Sequence, residues 1–109
     1  MGKNKVTSIN DLVPLEFYLS QNYPNPFKEE TSIKYCLPEK TLAELTIFNS
    51  NGEKIKELIH KVLNAGTYET ILDAKDLTDG VYYYQLKAFD PKSGTRQLFD
   101  KTKQMVLQR

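Results

Sequence analysis

Apolar and polar residues alternate with a period of two along most of the chain. Leu15, Phe17 and Leu19 are separated by Glu16 and Tyr18, Ile33, Tyr35 and Leu37 by Lys34 and Cys36, and Ala43, Leu45 and Ile47 by Glu44 and Thr46. Tyr68, Thr70 and Leu72 follow the same rule, as do Tyr82, Tyr84, Leu86 and Ala88. Successive side chains of a strand point to opposite faces, so each run predicts a half-buried β-strand. Pro38 closes the second run because it can donate nothing to a ladder. Asn51-Gly52 predicts a tight type I′ hairpin after the third. Asp90-Pro91-Lys92-Ser93-Gly94 predicts a further turn, beyond which Thr95 to Leu107 supplies a last strand or two short ones.

Two stretches break the alternation. Across residues 54–64 the apolar positions Ile55, Leu58, Ile59, Val62 and Leu63 fall at helical spacing, yet the Asn51-Gly52 turn favours an antiparallel return strand, and strand is the reading adopted. Residues 1–13 are polar, carry no sustained period and end before Pro14, which predicts a linker or polar lead followed by one domain over residues 14–109. A polar lead before a compact unit suggests the C-terminal piece of a longer polypeptide. The count is about seven strands, the number of an all-β, immunoglobulin-like antiparallel β-sandwich.

Composition agrees: seven Tyr, five Phe and nine Thr stand against four Ala, a usage of pleated surfaces rather than helices. Fifteen Lys and Arg nearly balance fourteen Asp and Glu, leaving a formal charge of +1 with no basic footprint for nucleic acid. No apolar run reaches the roughly 18 residues of a membrane span, so membrane insertion is not expected. A single cysteine, Cys36, forms no intrachain disulfide.

The chemistry of catalysis is sparse. His60 is the only histidine, a Cys36–His60 pair lacks an obvious third group, and no G-x-S-x-G, Walker or G-x-G-x-x-G motif occurs. No catalytic residue, metal ligand or cofactor is therefore expected, and the chain is read as a non-enzyme. Asp73, Asp76 and Asp79 precede Gly80 at a three-residue spacing that departs from the D-x-D-x-D-G order of a calcium loop, and a solvated turn is the simpler reading. Tyr82, Tyr83 and Tyr84 could stack on sugar rings, but alternation sends Tyr82 and Tyr84 to the core. The spacing Leu77-x-x-Gly80-x-Tyr82 suits a tyrosine corner, in which a phenol near the start of a strand bonds backwards to the chain.

The order of motifs resembles one family. Phe17-x-Leu19 leads into Gln21-Asn22-Tyr23-Pro24-Asn25-Pro26-Phe27, followed by Thr31-x-Ile33-x-Tyr35-x-Leu37-Pro38, Leu45-x-Ile47-Phe48, Gly52, Ala65-Gly66, Leu77-x-x-Gly80-Val81-Tyr82-x-Tyr84-x-Leu86 and the ending Lys101 to Arg109. This series is similar to the type A C-terminal sorting domain of the type IX secretion system, found in Bacteroidetes and relatives. Lys28-Glu29-Glu30 and Leu72 depart from the family pattern, in positions that concern packing.

The resemblance implies an address rather than a catalyst. It implies an upstream cargo domain, transit through the periplasm, recognition by type IX translocon and shuttle proteins, and delivery to the cell surface or medium. It also implies a surface sortase that cuts in the linker near Ser8 to Val13. Lys103, Met105, Val106, Leu107 and Arg109 are the implied signal residues, offered through the edge of the last strand. Gln21 to Phe27, Gly80 and Tyr82 are expected to act mainly as determinants of the fold. Two other readings stand beside this one: an immunoglobulin-like or fibronectin-like module binding carbohydrate or protein, and a structural role like that of flagellar hook-capping proteins.

Overall fold

The computed structural model describes residues 6–10, as backbone alone, and residues 13–109. Eight strands occur among them: Val6–Asn10 (β1), Tyr18–Leu19 (β2), Glu30–Leu37 (β3), Thr41–Asn49 (β4), Lys54–Leu63 (β5), Gly66–Asp73 (β6), Gly80–Phe89 (β7) and Gln97–Leu107 (β8). They form two four-stranded antiparallel sheets, ordered β1-β6-β3-β2 and β5-β4-β7-β8. The expected all-β sandwich is present.

The alternation read from the sequence sorts the side chains between core and solvent. Ile33, Tyr35 and Leu37 of β3 face Leu45 and Ile47 of β4 and Tyr84 and Leu86 of β7 across the interior, all fully buried. Their neighbours Lys34, Glu44 and Lys87 lie on the outer faces. Each fully buried large apolar side chain contributes about 1.5–3 kcal/mol relative to exposure, which is the main force closing the sandwich.

β5 resolves the ambiguous stretch. It is a strand throughout, but Leu58 and Ile55 each lack an opposite residue in β4, because the register jumps from Leu45↔Ile59 to Thr46↔Glu57 and again from Ile47↔Lys56 to Phe48↔Lys54. Each extra residue is a β-bulge, and both bulged side chains pack against the core. Two insertions into a period of two reproduce the three- and four-residue spacing of a helix.

Three expectations are corrected. The hairpin before β5 is not a type I′ turn, since among the described residues no non-glycine has positive φ and Asn51 cannot occupy the first position of one. Gly52 N–H donates to Asn49 O at 3.0 Å, Asn49 N–H donates to Glu53 O at 2.9 Å, and Gly52 takes φ 84°. This is a three-residue loop with glycine in the left-handed position, and Asn49 Oδ1 stabilises it by accepting from Asn51 N–H and Glu53 N–H.

The strand expected over Leu15 to Leu19 is only two residues long, and Leu15 is 95% exposed. Tyr18 lies opposite Cys36, so the next positions of the partner are Leu37 and then Pro38, where the ladder loses its donor. Within the expected linker, Val6–Asn10 pairs with β6, Val6 opposite Thr70 and Ser8 opposite Tyr68. The edge of β6 away from β3 is open to any extended chain, and a segment needs no apolar period to use it. The remainder of that stretch before Val13 lies outside the described residues.

Tyr82 forms the corner that its spacing suggests, with Oη donating to Thr78 O at 2.6 Å. Tyr68 does the same on the other sheet, donating to Asn64 O at 2.8 Å, also four residues upstream. Replacing Tyr82 by Phe removes a buried donor from a carbonyl near the surface, and a loss of about 1–2 kcal/mol in urea unfolding is expected. A midpoint unchanged from the parent would show that the corner carries no stability.

Candidate functional site: the motif loop and the last strand

One end of the sandwich gathers residues from both ends of the sequence. Between β2 and β3 the chain runs through Gln21 to Phe27, with cis peptide bonds at Tyr23-Pro24 and Asn25-Pro26. Two prolines a residue apart remove two backbone donors and fix two φ angles, so the loop takes its hydrogen bonds from side chains and from other strands.

Asn22 is its buried anchor, 2% exposed. Its Nδ2 donates to Thr31 Oγ1 at 2.9 Å and Pro24 O at 3.1 Å, and its backbone N–H donates to Tyr84 Oη at 2.8 Å. Tyr84 Oη in turn donates to Ser20 O at 2.6 Å. A single phenol from β7 thus ties down both sides of the loop's entry.

The loop then grips β8. Gln21 Nε2 donates to Gln104 O at 2.7 Å, Asn25 Oδ1 accepts from Val106 N–H at 2.9 Å, and Phe27 N–H donates to Val106 O at 2.9 Å. Gln108 N–H donates to Phe27 O at 2.8 Å, making a short parallel bridge of Phe27 with Leu107. The Phe27 ring is inserted into the core, 1% exposed, whereas the Tyr23 ring stands in solvent, 80% exposed. The loop is therefore a clamp over the outer edge of the last strand.

The five expected signal residues divide by the alternation of β8. Met105 and Leu107 face the core at 0% and 1% exposure, so their side chains are not available at the surface. Lys103 and Val106 are half-buried on opposite faces, and Arg109 is exposed. Arg109 is nevertheless held: its Nη1 donates to Leu77 O at 2.8 Å and meets Asp79 at 3.2 Å, and its Nη2 donates to Ala74 O. The edge expected to be open along the last strand is closed from Gln104 to Gln108 by the motif loop.

The other candidates disperse. Asp79 pairs with Arg109 and Asp76 with Lys56 Nζ at 3.3 Å, while Asp73 Oδ1 accepts from Lys75 N–H. The lysine beside Asp76 holds its carboxyl below the usual carboxylate range. Among the described residues no group of three or more His, Cys, Asp or Glu could hold a metal ion. Cys36 lies on β3 against Thr67 and His60 on the other sheet between Glu44 and Glu57, so the two do not meet. Tyr82 and Tyr84 are buried and leave only Tyr83 on the outer face. No helix among the described residues is long and apolar enough to cross a membrane.

Burial pushes the phenols of Tyr35 and Tyr84 up to about 12, desolvation of the phenolate being the main cause in each. A folded-state pKa above the unfolded value of about 10 favours the protonated form, so this contribution to stability is complete below pH 10 and lost as pH rises towards 12. Within that window each phenol removes about 1.4 kcal/mol per pH unit. Urea midpoints are expected to fall steeply above pH 10, and Tyr84→Phe should shallow that fall; equal slopes would count against it.

The clamp joins an Asn-Pro-rich loop to a terminal strand, with the Tyr82 corner at the same end of the sandwich and the Tyr68 corner at the other. The family model described as secretion system C-terminal sorting domain matches residues 21–99, from the first residue of the clamp into β8. The chain belongs to that family. Comparison with curated proteins and with solved structures finds no match. Membership in the secretion system C-terminal sorting domains makes this chain a type IX secretion sorting signal, which engages the type IX machinery and serves export to the cell surface or extracellular space. The sequence reading missed the contacts of Gln21 and Asn25 with β8; an isolated string of Asn, Pro and aromatic residues shows a rigid loop but not the strand that it covers.

Proposed function

We propose that the folded end of the sandwich, rather than a linear tail, is what the type IX translocon reads. The observation that carries this is the clamp: Gln21, Asn25 and Phe27 hold Gln104 to Gln108 in place, so the exposed parts of Lys103, Val106 and Arg109 have fixed positions only in the folded domain. Met105 and Leu107 serve the signal by anchoring β8. Cargo lies upstream, crosses the inner membrane first, and is carried through the periplasm by this domain. A surface sortase then separates cargo from domain on the N-terminal side of the sandwich.

The test fuses the 109 residues behind a periplasm-directed fluorescent reporter in a bacterium with a working type IX pathway. Reporter at the surface or in the medium, dependent on the pathway, is the expected result, and mass spectrometry of the released reporter locates the cut. Retention in the periplasm of a fusion shown to be folded would overturn the proposal.

A further inference from the structure

Two sheets present four edges, and three of them are blunted. β2 is two residues long, β5 carries two bulges, and the edge strand β1 is five residues long with a register irregularity between Ser8 and Asn10. β8 differs. From Phe99 to Leu107 its register with β7 is unbroken, and the motif loop closes only Gln104 to Gln108.

In an antiparallel ladder alternate residues send both N–H and C=O to the same side. Gln104 O, Val106 N–H and Val106 O point outward, since the loop takes them, and the same parity turns the N–H and C=O of Asp100 and Thr102, with Gln104 N–H, to the open side. Among the described residues, the N–H and C=O of Asp100 and Thr102 and the N–H of Gln104 have no partner. The free stretch lies between the clamp and Phe99, whose ring stacks on Phe17 at 5.3 Å.

Charge narrows the partner. Lys101 and Lys103 lie opposite the buried Leu86 and Tyr84, so both are on the inward face of β8 at the seam between the sheets, and neither pairs with a carboxylate among the described residues. On the other face Asp100 Oδ1 is already engaged by Gln85 Nε2 at 2.8 Å, and Thr102 and Gln104 are neutral. Cross-strand neighbours on one face sit about 4.5–5.5 Å apart, so a strand added here would set two alternate residues against two unpaired lysines.

We infer that the edge from Asp100 to Gln104 receives an extended acidic segment of a partner protein as an added strand, its alternate carboxylates meeting Lys101 and Lys103. This rests on the sorting proposal above and names the chemistry of the partner. Backbone bonds supply the grip and the lysines fix the register.

Thr102→Pro removes one outward N–H while leaving the bonds to β7, a position where an edge strand tolerates proline. It is compared in the reporter fusion with the parent, with K101E/K103E, and with K40E/K92E, which makes the same charge change at exposed lysines elsewhere. Urea unfolding of each purified domain checks folding, and sedimentation checks self-association. The parent and K40E/K92E are expected at the surface, and T102P and K101E/K103E folded but retained, with export down about tenfold, the equivalent of one net hydrogen bond. Export of folded T102P or K101E/K103E at the parent's level overturns the inference, and K101E/K103E decides alone should T102P not fold. A parental dimer dissolved by T102P also overturns it, by showing a second copy on the edge. Failure of the parent itself to be exported instead overturns the sorting proposal.

Discussion

Deletion of Lys103 to Arg109 is expected to leave the domain unfolded, with far-UV and near-UV signals and amide dispersion of a denatured chain. The cut removes Met105 and Leu107 from the core, where each is 1% exposed or less, and strips five opposed residues from β7, Gly80 to Tyr84. Loss of two such side chains alone costs about 4–10 kcal/mol, against a whole stability of about 5–15 kcal/mol for a domain of this kind. It also leaves Asn25 Oδ1, the Phe27 backbone and Asp79 without their partners. Failure of the shortened chain to be exported would therefore say nothing about a signal, and single substitutions at exposed positions are the informative experiment. A cooperative urea transition in the shortened domain would show instead that β8 is dispensable for folding.

Within the motif loop, Phe27→Ala and Tyr23→Ala should behave oppositely. Phe27 is 1% exposed and its backbone bridges β8, so truncation leaves a cavity beneath the clamp and is expected to cost about 3–5 kcal/mol. Tyr23 is 80% exposed, and its loss should change stability by no more than about 0.5 kcal/mol. Chemical denaturation of the two purified variants separates them. If Tyr23→Ala folds like the parent but is exported poorly, the exposed ring belongs to the recognition surface; if Phe27→Ala is as stable as the parent, the loop is not a determinant of the fold.

How far the sequence was legible follows from what alternation can and cannot report. β3, β4, β6 and β7 were evident because their inward residues recur every second position without interruption. β5 was nearly hidden, since Ile55 and Leu58 are extra residues that bring a third and fourth apolar position into contact with the core. β1 was missed because an edge strand is held by backbone bonds, which leave no trace in polarity. The family resemblance singles out the terminal residues as a group, but their separation into core and surface needs the ladder with β7: Met105 opposite Tyr82 points in, Val106 opposite Val81 points out. The clamp was illegible for a further reason. Gln21 and Asn25 spend their side chains on backbone atoms of a distant strand, a carbonyl and an N–H, and backbone groups have no residue type to recognise.

The bond from Gln21 to Gln104 spans 83 residues, nearly the length of the domain. Pairings this distant in sequence form slowly, because the intervening chain must be closed before any gain is realised. Synthesis proceeds from the N-terminus, so the clamp's loop is made early and waits for the strand that it holds. A chain broken off before residue 104 carries the complete loop but never assembles the surface. On the proposal that the folded end is what the translocon reads, the clamp would act as a length check: a product terminated before the last strand has no assembled face to present.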